Sequence, residues 1–193
     1  MASLDGKVAV VLTSKLDVWD SSRDGSPALL GSVPATRASG LYGLAVSADH
    51  RTAVAGVDSG TVALWDISDP ARISQPSVLP ATRGAVSSVG ISADNKYLAA
   101  GGSDSTVQLW DLSDRTHPTP YGESLAPSGT ANWNITFHPK TNYLIGTADQ
   151  GILRLWDLDP GRAEQRICTI TRATIATDLH VYLPGQRLPP LCN

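Results

Sequence analysis

The sequence is short of cysteine, of charge and of long apolar runs, and each shortage removes a class of protein. Only Cys168 and Cys192 occur among 193 residues, too few for a disulfide framework or a cysteine-based metal site, and both are read as packed thiols. Charged residues make up 17% of the chain and the net charge is −3. That balance builds no basic field for a phosphate backbone or an anionic lipid surface, so neither nucleic acid nor membrane is expected as a partner. No run approaches the roughly eighteen apolar residues needed to cross a bilayer. The opening MASLDGKVAV lacks the basic, apolar, small-residue order of a secretory signal, which makes a soluble, cytoplasmic chain the expectation. Hydrophobic residues, at 41%, are enough for a buried core.

Catalytic patterns are missing as well. Neither the phosphate-cradling GxxxxGK[ST] loop nor the GxSxG elbow occurs. The histidines, His50, His117, His138 and His180, are scattered, and three of them adjoin turn residues. They read as solvated turn positions, so no enzyme, metal or cofactor is expected.

What the chain does have is a repeat. Trp-Asp recurs at Trp19-Asp20, Trp65-Asp66, Trp110-Asp111 and Trp156-Asp157, with spacings of 46, 45 and 46 residues. Each pair closes a strand-like stretch: KLDVWD, TVALWDIS, TVQLWDLS and ILRLWDLD. Upstream lie hairpin partners bounded by turn residues, SADHRTAVAG (Ser47 to Gly56), SADNKYLAAG (Ser92 to Gly101) and HPKTNYLIG (His138 to Gly146). Further upstream come LYGLAV, VSSVGI and NWNITF, starting at Leu41, Val86 and Asn132, each 24 residues before its Trp. Three strands of constant length therefore precede a fourth, outer one. The single-residue variation in period falls in that outer strand or in the returning loop, where insertions are tolerated.

This pattern, from about Lys7 to Asp159, resembles the WD-repeat family, whose units each form a four-stranded blade of a β-propeller. The resemblance implies an all-β fold of about four blades over residues 1–165, with an outer strand and a proline-rich tail over 166–193. In that family a tryptophan on the third strand, a turn aspartate, a hydroxyl and a histidine form a buried hydrogen-bonded staple. Trp19, Trp65, Trp110 and Trp156 take the first role here, and Asp58, Asp104 and Asp149 the second. The histidine position falls near Arg37, Thr82 and Ser128, none of them histidine, so the staple is expected to be incomplete. The first blade reads as incomplete too, because GKVAVVLTSKLDVWD supplies only second and third strands. Its open edge needs a cover, and three closures stay open: a C-terminal part of a larger propeller, a ring completed by a second copy, or a small four-bladed ring.

The tail, RIC followed by LHVYLPG and a closing PPLC, is similar to the ending of large bacterial signalling proteins in which a WD-repeat array follows an NTPase or kinase module. That resemblance implies a sensor or scaffold region, and it matches Cys168 and Cys192 to the two cysteines of that ending. Such a scaffold recognises protein or peptide partners through loops at the propeller rim. At equivalent positions one residue into the first strand stand Tyr42, Ser87 and Trp133, and the neighbouring PATR loops carry Arg37 and Arg83. Tyrosine, tryptophan and arginine anchor interfaces, so Tyr42, Trp133, Arg37 and Arg83 are the candidate partner-binding residues, suited to an acidic peptide. The competing reading is a structural fragment that needs missing blades or a second copy.

Overall fold

The structure, a computed structural model, describes residues 2–4, 8–22, 26–35, 40–125 and 132–169. These fall into two compact units, Met1–Leu155 and Trp156–Asn193. The first holds four antiparallel sheets in sequence order, the arrangement of an incomplete β-propeller. Sheet 1 consists of β1 (Ala2–Leu4), β2 (Val8–Leu12), β3 (Lys15–Asp20) and β4 (Ala28–Pro34). Sheet 2 follows with β5 (Leu41–Val46), β6 (Thr52–Val57), β7 (Thr61–Asp66) and β8 (Ser77–Pro80). Sheet 3 contains β9 (Val86–Ile91), β10 (Tyr97–Gly102), β11 (Val107–Asp111) and the two-residue β12 (Thr119–Pro120). Sheet 4 has three strands among the described residues, β13 (Trp133–Phe137), β14 (Tyr143–Ala148) and β15 (Ile152–Asp157).

Three expectations are corrected. The first blade was expected to lack its innermost strand, but Ala2–Leu4 pairs antiparallel with Val11 to Ala9 and fills that place. Arg166 to Thr171 were expected to form an outer strand; Arg166 to Thr169 are helical instead, within a helix over 160–169, and 170–171 lie outside the described residues. Its start is written in Asp159-Pro160: the Asp159 carboxylate accepts from the N–H groups of Gly161 (2.9 Å) and Arg162 (3.3 Å), and proline suits the first helical position. Arg162 closes a fork on Asp157, with two 2.8 Å hydrogen bonds. Within this helix Cys168 is disulfide-bonded, so its reading as a free thiol does not stand. Cys192, with the rest of 170–193, lies outside the described residues.

Each sheet has two faces, because successive side chains of a strand point to opposite sides. Val10, Leu12, Leu16 and Val18 of sheet 1 point forward and pack on Ala53, Ala55, Val57, Ala63 and Trp65, the backward face of sheet 2. One repeat later Val54, Val62 and Leu64 point forward against Val86, Val89, Leu98, Ala100 and Trp110. The repeated tryptophan thus looks back at the preceding sheet, while the residues one and three before it look ahead. Gly56 and Gly101, at the same register position, let the next first strand approach closely: a Cβ there would lie 2.6 Å from the Val86 carbonyl oxygen and 2.5 Å from that of Trp133.

The Trp-Asp aspartates are strand terminators. Asp20, Asp66 and Asp111 each accept from the backbone N–H two residues on, at Ser22 (2.9 Å), Ser68 (2.9 Å) and Ser113 (2.7 Å), an Asx turn that bends the chain off the strand. At the first hairpin, Ser47 and Ser92 do equivalent work. Each hydroxyl donates to the aspartate two residues on (2.7 and 2.6 Å) and accepts the N–H that starts the next strand, both at 2.9 Å. His50 and Asn95 then take the left-handed conformation, φ 56° and 60°.

Candidate interaction surface

The rim chosen from sequence is where chain enters each first strand, beside the second hairpin of the blade. The incoming loop at 81–85 is pinned from both sides. Ala81 and Thr82 donate to the Gly60 carbonyl at 3.0 Å. Ser103 donates to Ala85 at 2.9 Å, and the Asp104 carboxylate accepts the Arg83 N–H at 2.7 Å. Asp104 also accepts from the Thr106 hydroxyl (2.6 Å) and N–H (3.1 Å). Burial opposes its ionisation, but the Thr106 hydroxyl and the N–H groups of Arg83 and Thr106 outweigh it and hold the carboxyl below its ordinary range. The backbone of this loop is thereby set, while the Arg83 side chain stands exposed. It borders a depression of about 530 Å³ shared with Thr82, Asp104, Thr106, Gln108 and Ser124.

The sequence-chosen residues do not all meet here. Tyr42 is 48% exposed, as a binding anchor should be. Trp133 is 1% exposed, with the Arg154 guanidinium over its ring at 5.8 Å from the centroid, so it is removed from the surface candidates. The cause is a register difference that equal spacing hides. In sheet 2 the pairs Tyr42 with Gly56 and Leu44 with Ala55 leave Gly43 (φ 62°) as a bulge, and in sheet 3 Ser87 is bulged in the same way. The β13–β14 ladder of sheet 4 runs without a bulge, and Trp133 pairs directly with Ala148. Trp133 therefore occupies the place of half-buried Leu41 and buried Val86 rather than the place of Tyr42. Arg37 lies outside the described residues.

The staple residues also separate. Trp65 and Trp110 are buried, and among the described residues the Trp65 indole N–H has no hydrogen-bond acceptor. The N–H groups of Asp58 and Ser103 both bond the incoming loop, to Gly40 and Ala85. Ser103, not Asp104, is thus the positional equivalent of Asp58, and Asp104 reaches its role from one residue further on. Asp149 is exposed and starts a short 3-10 turn without capping it. Trp19 and Trp156 are half-buried.

Sequence reasoning missed the opposite rim. There Arg115 of sheet 3 pairs with Asp49 of sheet 2, and Asn95 accepts the Ala48 N–H at 2.8 Å. A cleft of about 660 Å³ opens beside them, bordered by Arg51, Asp66, Ser77, Ser113 and Arg115. The signal available was the doubled SAD turn and the D-x-S-D strings after the third strands of sheets 2 and 3, Asp66 to Asp69 and Asp111 to Asp114. Its charges are largely neutralised by one another. His117 and Asp114, 3.3 Å apart on that side, are both exposed and belong to one turn. Among the described residues no His, Cys, Asp or Glu cluster could hold a metal ion, and no helix is long and apolar enough to cross a membrane.

Sheets of this order and register define a WD-type β-propeller. The chain belongs to the family described as nucleolar protein 10-like, N-terminal domain, whose model matches residues 29–183. Among solved structures, the computationally designed protein Ika4 aligns with a TM-score of 0.62 at 19% identity, covering 82% of this chain and 89% of that one. At that identity the likeness concerns the fold alone. No curated protein matches. A propeller domain of this family fits a protein-interaction scaffold in general terms.

Proposed function

We propose that this chain is a non-catalytic scaffold or sensor module that takes a protein or peptide partner on the rim bearing Tyr42 and Arg83. The observation that carries the reading is the pairing of exposed interface-type side chains with a backbone already held by hydrogen bonds. Pre-organisation lowers the ordering cost of binding, and an exposed guanidinium and an exposed aromatic ring on one rim suit an acidic peptide. The test is to pan a displayed peptide library against the chain, then measure the affinity of selected peptides. Acidic sequences should be enriched, and Tyr42→Ala and Arg83→Ala should each weaken them by about tenfold, a loss of about 1.4 kcal/mol, with an unchanged circular dichroism spectrum. Enrichment of no sequence, or binding indifferent to both substitutions, overturns the reading.

A second reading is that of a partial propeller needing a further sheet, and one observation favours it: Leu153 and Leu155, on the forward face of sheet 4, are 69% and 60% exposed. The resemblance of the tail to bacterial signalling proteins supports placing such a propeller behind an effector module. For the cytoplasmic location expected from composition, the Cys168 disulfide is adverse, since such bonds persist in oxidising compartments.

A further inference from the structure

We propose that the forward face of sheet 4 is an assembly surface whose occupant is sheet 1 of a second copy of this chain. The inference rests on reading the chain as an incomplete propeller and names what completes it. Counting back from each repeated tryptophan, Leu153 and Leu155 occupy the register positions of Leu16 and Val18 in sheet 1, of Val62 and Leu64 in sheet 2, and of Val107 and Leu109 in sheet 3. All six of those side chains are buried, and the first four pack on the following sheet. Leu153 and Leu155 have the same apolar character and the same place, yet stand in solvent. A flat face of this kind calls for a blade, because its relief is that of three interfaces already formed within the chain.

The matching backward face is present on sheet 1. There Ala9 pairs with Trp19 as Ala53 pairs with Trp65 in sheet 2, and Val11 takes the place of Ala55. In sheet 2 these positions are fully buried against sheet 1, whereas Ala9, Val11 and Trp19 are only half-buried. Asp17, in the place of Ala63, is the polar departure, and its carboxylate already accepts from the Ser32 hydroxyl at 2.6 Å, so covering it does not strand an unpaired group. With two copies, sheet 4 of each seats on sheet 1 of the other. Both faces are then consumed by one two-fold axis, and the eight sheets that result lie within the range of about four to eight blades that propellers use.

The experiment is light scattering after size exclusion on the full chain and on two variants, Leu155→Asp and Val11→Glu, with circular dichroism as the control for folding. The expected result is a wild-type mass of twice 20.3 kDa and a dissociation constant raised about tenfold or more in each variant alone. Mixing the two variants should restore a dimer, because one copy then offers an intact sheet 4 and the other an intact sheet 1. A wild-type monomer, or a dimer indifferent to both substitutions, overturns the second copy as occupant. Hydroxyl-radical footprinting of the Leu153 and Leu155 side chains then separates the two readings. Strong labelling in that monomer leaves the face open to another blade, and protection there removes the incomplete-propeller reading as well. If Val11→Glu fails to fold, the mixing arm uses Ala9→Glu.

Discussion

The incomplete staple has a measurable consequence at Trp65. Its ring is fully buried between sheets 1 and 2, and its indole N–H has no acceptor among the described residues. Trp65→Ala should cost about 3–5 kcal/mol, the range for emptying a large aromatic site in a core. Trp65→Phe keeps most of the packing and deletes the stranded donor. The lost ring portion is on the order of 40 Å², or about 1 kcal/mol at about 25 cal/mol per Å². Removing a buried donor without a partner returns about 1–3 kcal/mol. The two terms nearly cancel, so the Phe variant should lie within about 1 kcal/mol of the parent or be more stable. Urea denaturation followed by far-ultraviolet circular dichroism measures both variants on one scale, provided the m-value is unchanged. A Phe variant destabilised by more than about 2 kcal/mol would refute the reasoning, since it would mean that the N–H holds a partner worth keeping.

Two further outcomes follow from the packing and the charges. Gly101→Ala should lose about 1–3 kcal/mol in the same assay, because the new Cβ would sit 2.5 Å from the Trp133 carbonyl oxygen and force sheets 3 and 4 apart; an unchanged midpoint would show that the approach is looser than that. Asp66 and Asp104 are held below the ordinary carboxylate range, Asp66 chiefly by Ser68 and Asp104 by Thr106 and Arg83 against its burial. A depressed folded-state pKa adds stability that is complete above the unfolded value of about 3.9 and is lost as pH falls through the lower folded value. The urea midpoint should therefore be flat from pH 7 to about pH 5 and fall below about pH 4, with a shallower fall in Asp104→Asn; a decline already under way between pH 7 and pH 5 would point to other groups.

How far the molecule could be read in advance depends on the element. The propeller class was legible because the tryptophan period, the 24-residue run to each tryptophan and the Asx turns after them are local and repeat in phase. The inner strand of the first blade escaped notice because Ala2–Leu4 is three residues long, too short to show a period. The helix over 160–169 was missed although Asp159-Pro160 and the helix-forming residues after it announced a start; the expectation of a fourth strand carried over from the other blades prevailed. Trp133 was misplaced for a subtler reason. Spacing counts residues, whereas side-chain direction depends on pairing register, and one bulge turns a strand's side chains to the opposite face.

By itself the sequence determined the repeat, the strand ends and which residues alternate, because these depend on chain-local turn chemistry and period. Only the tertiary structure decided which face of each strand was covered and by what. Tyr42 is a surface residue and Trp133 a core residue because Gly43 is bulged out of its ladder and no residue of β13 is. Leu153 and Leu155 share apolar character and repeat position with Val62 and Leu64 and differ from them in what packs next to them, and burial belongs to that neighbour as much as to the residue.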